Sequence, residues 1–282
     1  MPELYNVLGD GVSSVYTVDG TEISAIPSPN IVDNAVSHEL YTTSSSSGQT
    51  QGFCMDDDGN IYGIYYLGGK FVRYNVNTGV ATIFSTFTSG TEVYGHANGM
   101  TYNPNTGYIY IAPMLATGEV YVIDPSDMTL VDTLYAYEAD GETPVNVWNI
   151  CYDRENSQFI CMSSGTIYFY DDTFELVSTA TYDTNDWALT RQDIETDGTY
   201  IYASSTEDNA IYVFKMDGTL VGTIALDDQI NELEDVVYDW DTGLFFSCYS
   251  KRNQTYTGAK IDFLDTKAYY TNAEVEAILS LA

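Results

Sequence analysis

The stretch from residue 95 to residue 112, GHANGMTYNPNTGYIYIA, contains the pattern that decides the fold. Apolar and polar residues alternate on both sides of a short segment rich in Asn and Gly, which is typical of two β-strands joined by a tight turn. Comparable pairs recur at GFCMDDDGNIYGIYY (52–66), WNICYDRENSQFICM (148–162), RQDIETDGTYIYAS (191–204) and LEDVVYDWDTGLFFSCY (233–249). The stretch therefore belongs to a repeat.

A second half-unit follows each of these strand pairs. It supplies a third strand, as in GEVYVIDPSD (118–127) and GTIYFYDDTF (165–174), and then a short fourth strand such as ELVSTATY (175–182). Four strands in each unit, at a spacing of about 44 to 49 residues, are typical of β-propeller blades. We therefore expect an all-β chain in which residues 1–282 form a single β-propeller domain.

Two closures of the ring are compatible with the sequence. Residues 1–28 predict three strands of a closing blade, and residues 52–272 predict five full blades. AEVEAILSLA (273–282) either supplies the missing innermost strand or forms a short helix. The first case gives six four-stranded blades, one of them shared by the two termini, and the second gives five blades. The segment at 32–51, which is rich in Ser and Thr, is expected to be a flexible insert.

Composition limits the partners. The chain has 282 residues, with 41 Asp and Glu against 9 Lys and Arg, and a formal net charge of −32. Such a field repels nucleic acid and anionic membranes, so neither is expected as a partner. MPELYNVLGDG (1–11) lacks the basic and apolar regions of a signal peptide, and no apolar run is long enough to span a membrane.

The four cysteines show neither a C-x-x-C pair nor a metal-binding spacing. Cys151 and Cys161 flank one predicted hairpin turn at similar distances. A disulfide across the two strands and a pair of buried free thiols are both compatible with this placement.

The residues that open the first strands are expected to line one end of the central channel. They are His96, Asn98, Asn149, Arg191 and Glu234. Arg191 and Glu234 come from adjacent blades and are expected to pair, which leaves little free charge to bind a metal or activate water. We therefore predict no catalytic residue, no cofactor and no metal site. Candidate aromatic contacts for a partner are Tyr94, Trp148, Trp187 and Trp240, although the tryptophans could instead pack between blades.

Over nearly the whole chain, the strand and turn pattern resembles six-bladed propellers with NHL-like or YVTN-like repeats. The opening stretch also resembles a segment of propeller domains in tailed-phage minor structural and receptor-binding proteins. Gly95, His96, Asn98, Met100, Thr101, Tyr102, Asn103 and Pro104 carry that likeness. The resemblance implies a non-enzymatic virion structural or host-attachment module, located on a virion or an extracellular surface. Its partners would be other virion proteins or a host surface glycan or protein, and a homo-oligomer is possible.

An enzyme is the alternative. Gluconolactonase-like hydrolases build a divalent-metal site from a Glu, two Asn and an Asp at the channel rim, and Asn98 and Asn149 resemble the two Asn. The first and fourth units depart from that pattern, because the first has Gln51 or Gly52 and the fourth has Arg191 at the corresponding place. A hydrolase or lyase of this kind would be cytoplasmic.

Overall fold

The computed structural model describes residues 15–16, 22–23, 34–42, 49–65, 70–85, 96–184, 191–226, 231–251 and 259–265. The chain divides into two compact units, one formed by residues 33–265 and the other by residues 1–32 and 266–282. In the latter unit, strand β1 (Val15–Tyr16) pairs antiparallel with β2 (Glu22–Ile23). No helix within the described ranges is long and apolar enough to cross a membrane.

Residues 33–265 form a β-propeller of five four-stranded blades. Blade 1 consists of β4 (Thr50–Met55), β5 (Asn60–Tyr65), β6 (Lys70–Asn75) and β7 (Val80–Ser85). Blade 2 consists of β8 (Gly99–Asn103), β9 (Tyr108–Ala112), β10 (Glu119–Asp124) and β11 (Thr129–Tyr135). Blade 3 consists of β12 (Cys151–Asp153), β13 (Gln158–Ser163), β14 (Thr166–Tyr170) and β15 (Leu176–Thr181). Within each blade the strands are antiparallel and follow chain order.

The last two blades are joined through a strand from the N-terminal part of the chain. Blade 4 consists of β16 (Arg191–Thr196), β17 (Tyr200–Ser205), β18 (Ala210–Lys215) and β19 (Leu220–Leu226). Blade 5 consists of β20 (Glu232–Asp239), β21 (Leu244–Ser250), β22 (Ala259–Asp265) and β3 (Asn34–Thr42). Strand β3 pairs antiparallel with β22 from Val36 to Thr42, and its first two residues pair parallel with the end of β19. It therefore closes the ring.

The position of β3 corrects the expectation for residues 32–51 and answers the question of how many blades the described residues form. The segment at 32–51 was expected to be a flexible insert, yet it contains the nine-residue strand β3. Its polar sequence is explained by its outer position in blade 5, where Leu40 remains 41% exposed. The described residues form five blades, which is the alternative that the sequence left open. The strand or helix expected at 273–282, on which the sixth blade depended, lies outside the described residues.

The first hairpin turn of each blade has the same local chemistry. In blade 2, the Asn103 side chain accepts the backbone N–H of Asn105 at 2.8 Å, and Gly107 adopts a φ of 73°. In blade 3, Asp153 accepts the N–H of Glu155 at 3.0 Å, and Ser157 takes the left-handed φ of 52°. Side-chain oxygens that accept bonds from the backbone two residues on stabilise such turns. The Asp-, Asn- and Gly-rich segments of the repeat are therefore turns, as the sequence predicts.

Aromatic side chains fill the spaces between neighbouring blades. Phe159 of blade 3 lies 4.5 Å from Tyr110 of blade 2 between ring centroids, and Tyr202 of blade 4 lies 4.6 Å from Phe245 of blade 5. Ten tyrosines of the described part are buried. Several keep a hydrogen bond at the ring's polar end, as when Tyr202 Oη donates to Asp197 Oδ2 at 2.7 Å. Much of the high tyrosine content therefore serves the core.

All four cysteines are buried free thiols. Cys151 lies opposite Ile160 in the β12–β13 ladder, so it is one residue out of register with Cys161. Because side chains one residue apart point to opposite faces of a sheet, Cys151 packs between blades 3 and 4 and Cys161 packs between blades 2 and 3. The disulfide that the sequence left open is therefore excluded. Burial raises the pKa of both thiols.

Candidate functional site at the propeller axis

One carboxylate at the axis joins three blades. Asp193, in the innermost strand of blade 4, accepts the N–H groups of Ile150 of blade 3 and of its neighbour Ile194 on Oδ1, each at 2.9 Å. Its Oδ2 accepts the N–H of Met100 of blade 2 at 2.5 Å. The Asp193 side chain is fully buried. It therefore satisfies backbone donors on the inner edges of strands that have no further strand to pair with.

A second carboxylate joins the remaining two blades. Asp235, in the innermost strand of blade 5, accepts the N–H of Phe53 of blade 1 on Oδ2 at 3.2 Å and that of Val236 on Oδ1 at 2.7 Å. Asp193 and Asp235 lie close enough for the charge of one to act on the other. Together the two carboxyl groups, here called the axial carboxyl pair, accept a backbone hydrogen bond from the innermost segment of every blade.

Two β-bulges and one glycine position the side chains of the axial carboxyl pair. The β16–β17 ladder shifts register between Arg191 and Ile194, and the β20–β21 ladder shifts between Leu233 and Asp235. Such bulges re-aim the side chains that they contain. Gly99 leaves the necessary space, because a Cβ there would lie 2.7 Å from both Asp193 Oδ1 and Asn149 Cα. The close approach of the innermost strands thus depends on this glycine.

Burial controls the protonation of the axis. It is the largest cause that raises the pKa of Asp193 and Asp235, and the Asp193 charge raises the pKa of Asp235 further. Glu195, on the same strand as Asp193, has its pKa raised to about 8, again chiefly by burial. Arg154 partly offsets this rise in the pKa of Glu195. Arg154 itself is ion-paired with Asp57.

Two of the predicted rim residues meet through a third residue. His96 Nε2 is hydrogen-bonded to Gln51 Oε1, and Gln51 Nε2 donates to Glu234 Oε1 at 3.4 Å. Gln51 occupies the corresponding place in the first unit. Burial lowers the pKa of His96, and the charge of Glu232 opposes that change. The structure therefore brings His96, Gln51 and Glu234 into one chain of polar contacts.

The two predicted asparagines are bonded to the main chain. Asn98 Nδ2 donates to the carbonyl oxygen of Trp148 at 3.0 Å. Asn149 donates to the carbonyl of Met162 at 2.9 Å and accepts that residue's N–H at 2.7 Å. Both amide atoms of Asn149 are thus engaged with one backbone unit. Within the described ranges, no three His, Cys, Asp or Glu side chains are arranged to hold a metal ion.

The structure describes only some of the remaining predicted site residues. The backbone of Arg191 belongs to β16, but its side chain lies outside the described part, so its expected pairing with Glu234 stays a prediction. Tyr94 and Trp187 also lie outside the described residues. Trp240 packs edge-on against Tyr238 at 5.4 Å and lies beneath the Arg154 guanidinium. It follows β20, so it lies at the opposite end of that strand from the rim.

Blade 2 exposes apolar side chains along its outer strand. Leu130, Val131 and Tyr135 of β11 are 43%, 48% and 43% exposed. Tyr137, two residues after the end of β11, stacks on Tyr135 with ring centroids 6.3 Å apart. We call these four residues the blade 2 edge. The outer strands of blades 1, 3 and 4 also expose aliphatic residues, but among the described residues only the blade 2 edge adds large exposed aromatic rings. The sequence pattern did not single this surface out.

Comparison with known proteins supports the fold and no finer assignment. The sequence matches no protein-family model and no curated protein sequence. Glutaminyl cyclase from Myxococcus xanthus is similar in structure, with a TM-score of 0.57, 14% identity and coverage of 82% of this chain and 99% of that one. A luciferin-regenerating enzyme has a TM-score of 0.51, 9% identity and coverage of 82% and 95%. The calcium-binding protein regucalcin from Agrobacterium tumefaciens has a TM-score of 0.50, 9% identity and coverage of 80% and 94%. At these identities the likeness is one of propeller fold.

Proposed function

We propose that the protein is a non-enzymatic binding and assembly module that holds a protein partner on the blade 2 edge. The observation that carries this proposal is that one outer strand exposes Leu130, Val131 and Tyr135, and that the exposed Tyr137 beyond its end stacks on Tyr135. Exposed apolar patches with aromatic rings are typical of protein interaction sites. At the axis, by contrast, the buried carboxylates are engaged by backbone amides.

Charge defines the partner further. Exposed Asp132 lies within β11, and Glu138, Asp140 and Glu142 follow in the connection to blade 3. A complementary surface therefore has an apolar centre surrounded by Lys and Arg. Tyr135 and Tyr137 could contact a sugar or a protein, but Leu130 and Val131 offer neither a ring face nor a hydrogen bond to a sugar, so the patch with its aliphatic half favours a protein. A virion protein or a basic host surface protein fits this description and agrees with the phage-protein resemblance, which would place the module on a virion or an extracellular surface.

A second copy of this chain fits less well. Two molecules with a formal charge of −32 repel each other, and Asp132 places a charge in the middle of the open strand edge. Charged residues on edge strands discourage pairing between identical edges. The module is therefore proposed to bind a different protein rather than itself.

A photo-crosslinking residue at position 135 tests this proposal. The matched control carries the same residue at position 177, where Val177 is 61% exposed on the outer strand of blade 3. Both proteins are mixed with a virus-particle preparation and with a host surface extract. We expect a crosslinked product from position 135 only, weaker at higher salt and lost when Val131 is changed to Glu. Equal products at both positions, or none in either mixture, would contradict the proposal.

The enzyme alternative is supported by the contacts between His96, Gln51 and Glu234. Gln51 links the buried Glu234 carboxylate to His96, and a carboxylate and a histidine near one channel rim could divide acid and base roles between them. Two proteins of similar fold are named as enzymes. The alternative is tested by incubating the protein with a panel of lactones, with and without divalent cations, beside a Glu234→Gln variant. Turnover that Glu234→Gln abolishes would favour a hydrolase or lyase over a binding module.

A further inference from the structure

We propose that the axial carboxyl pair is a proton-dependent clasp, in which Asp193 and Asp235 hold the five blades together by sharing one proton. When that proton is lost, two negative charges face each other in a fully buried site and the ring loosens. This inference concerns the stability of the ring and does not depend on the proposed partner.

The burial of two carboxyl groups at one place favours a shared proton. Both side chains are at most 1% exposed, and they accept backbone N–H groups from the adjoining inner segments of blades 1 and 2, Phe53 for Asp235 and Met100 for Asp193. Two ionised carboxylates buried side by side repel each other and have only acceptor oxygens, whereas a proton on one of them removes the repulsion and lets it donate a hydrogen bond to the other. The five backbone N–H groups that point at the pair supply partial positive charge, which suits one negative charge at this place.

The two members of the pair have different roles. Asp193 accepts three backbone N–H groups, whereas Asp235 accepts two. Backbone donors favour the ionised form of a carboxyl group, so Asp193 carries the charge. Asp235 therefore keeps the proton and uses it to donate a hydrogen bond to Asp193.

The neighbouring groups favour retention of that proton. The pair is faced by Cys54 of β4, Cys151 of β12, Cys161 of β13 and Glu195 of β16, all of which are neutral or negative. From β8 the pair receives the backbone of Met100. Other titratable groups lie further along the same strands. Those towards the rim are Glu232, Glu234 and His96, and those towards the first hairpin turns are Asp56 and Asp153. Arg154 acts on Glu195, and the Arg191 side chain lies outside the described part.

The direction of the pH dependence follows from the raised pKa values. Above pH ~3.9, the ordinary pKa of Asp, the unfolded chain has released a proton that the folded pair retains. The contribution of the pair to stability is therefore complete below this pH and is lost as pH rises through the raised pKa. One retained proton lowers the folding equilibrium constant about tenfold for each pH unit within that window.

The experiment compares three variants of the full chain. Asp235→Asn imitates the protonated member, because its amide can donate to Asp193 and its oxygen can accept one of the two backbone N–H groups. Asp193→Asn places amide hydrogens against backbone N–H groups that need an acceptor. Glu195→Gln removes the other buried carboxyl group of β16 and leaves the pair intact. Unfolding by urea is followed between pH 5 and pH 7.5, where the unfolded cysteines remain largely protonated.

We expect Asp235→Asn to fold. The folding equilibrium constant of this variant should fall about tenfold less for each pH unit than that of the wild type. Glu195→Gln should keep the dependence that comes from the pair, and Asp193→Asn should unfold at much lower urea or fail to fold. An infrared band of a protonated carboxyl group, measured at pH 6, should weaken in Asp235→Asn compared with the wild type. An unchanged pH dependence and an unchanged band in Asp235→Asn would overturn the proposal, as would equal damage from Asp193→Asn and Asp235→Asn.

Discussion

At the scale of single residues, the repeat pattern predicts where the first strands begin but not which side chains meet at the axis. The repeat predicts that Asn98, Asn149 and Glu234 open the first strands; the structure places Asn98 and Asn149 just before β8 and β12, and Glu234 within β20. It does not predict that Asp193 and Asp235 turn inward, because bulges that change the direction of a side chain leave little trace in an alternating sequence. The available signal was an Asp near the start of the first strand, two residues after Arg191 in blade 4 and three residues after Glu232 in blade 5.

Gly99 provides a test at this scale. Gly99→Ala should lower the free energy of unfolding by about 1–3 kcal/mol, because its Cβ would lie 2.7 Å from Asp193 Oδ1 and from backbone Asn149 Cα. Gly107→Asn is the matched control, since Asn tolerates a positive φ and the site has no atom within 4 Å. Chemical denaturation of both variants measures the difference. Equal stabilities would show that the innermost strands are not tightly packed at Gly99.

Asn149 tests whether a predicted rim residue is structural. Asn149→Ala removes both hydrogen bonds to Met162 and leaves that buried backbone unit without them. We expect a loss of about 1–3 kcal/mol in the free energy of unfolding. Crosslinking from position 135 should remain unchanged, because the blade 2 edge lies on an outer strand. A stable variant that no longer crosslinks would instead place Asn149 in the binding site.

At the scale of elements, the strand pairs were predictable and the closure was not. Paired alternating segments around Asp- and Gly-rich turns have few other structures available, so the blades follow from the sequence. Strand β3 is half polar, NAVSHELYT, because an outer strand buries little, and its partner β22 lies far away in the chain. Pattern analysis evaluates local periodicity, so it cannot identify such a distant pairing.

Deletion of residues 34–42 measures the contribution of β3. The deletion leaves β22 as an open edge that presents unpaired backbone groups. We expect a lower melting temperature and concentration-dependent association in light scattering. Deletion of residues 273–282 is the companion variant and tests the six-bladed arrangement. If only the second deletion lowers the melting temperature, closure by β3 is wrong.

At the scale of the whole molecule, charge is the dominant property. Repulsion among 41 acidic groups, opposed by 9 basic ones, weakens the compact state at low ionic strength. We therefore expect thermal stability at pH 7 to rise as salt increases from millimolar to near molar concentration, because salt shortens the range of repulsion. The same titration near pH 4, where many carboxylates are protonated, serves as the control and should show a smaller rise. Parallel curves at the two pH values would argue against surface repulsion.

The position of β3 in the chain also determines when this strand can pair during synthesis on the ribosome. The ribosome makes β3 early, whereas β22 emerges more than two hundred residues later. At roughly 5–20 residues per second, β3 waits for on the order of 10–40 s before its antiparallel partner exists. During that interval blades 1 to 4 can form, and the ring stays open. A polar strand of modest hydrophobicity is well suited to such a delay, because it stays soluble while unpaired. A circular permutant that begins after β3 and carries it behind β22 would remove the wait and keep the pairing of β3 with β22.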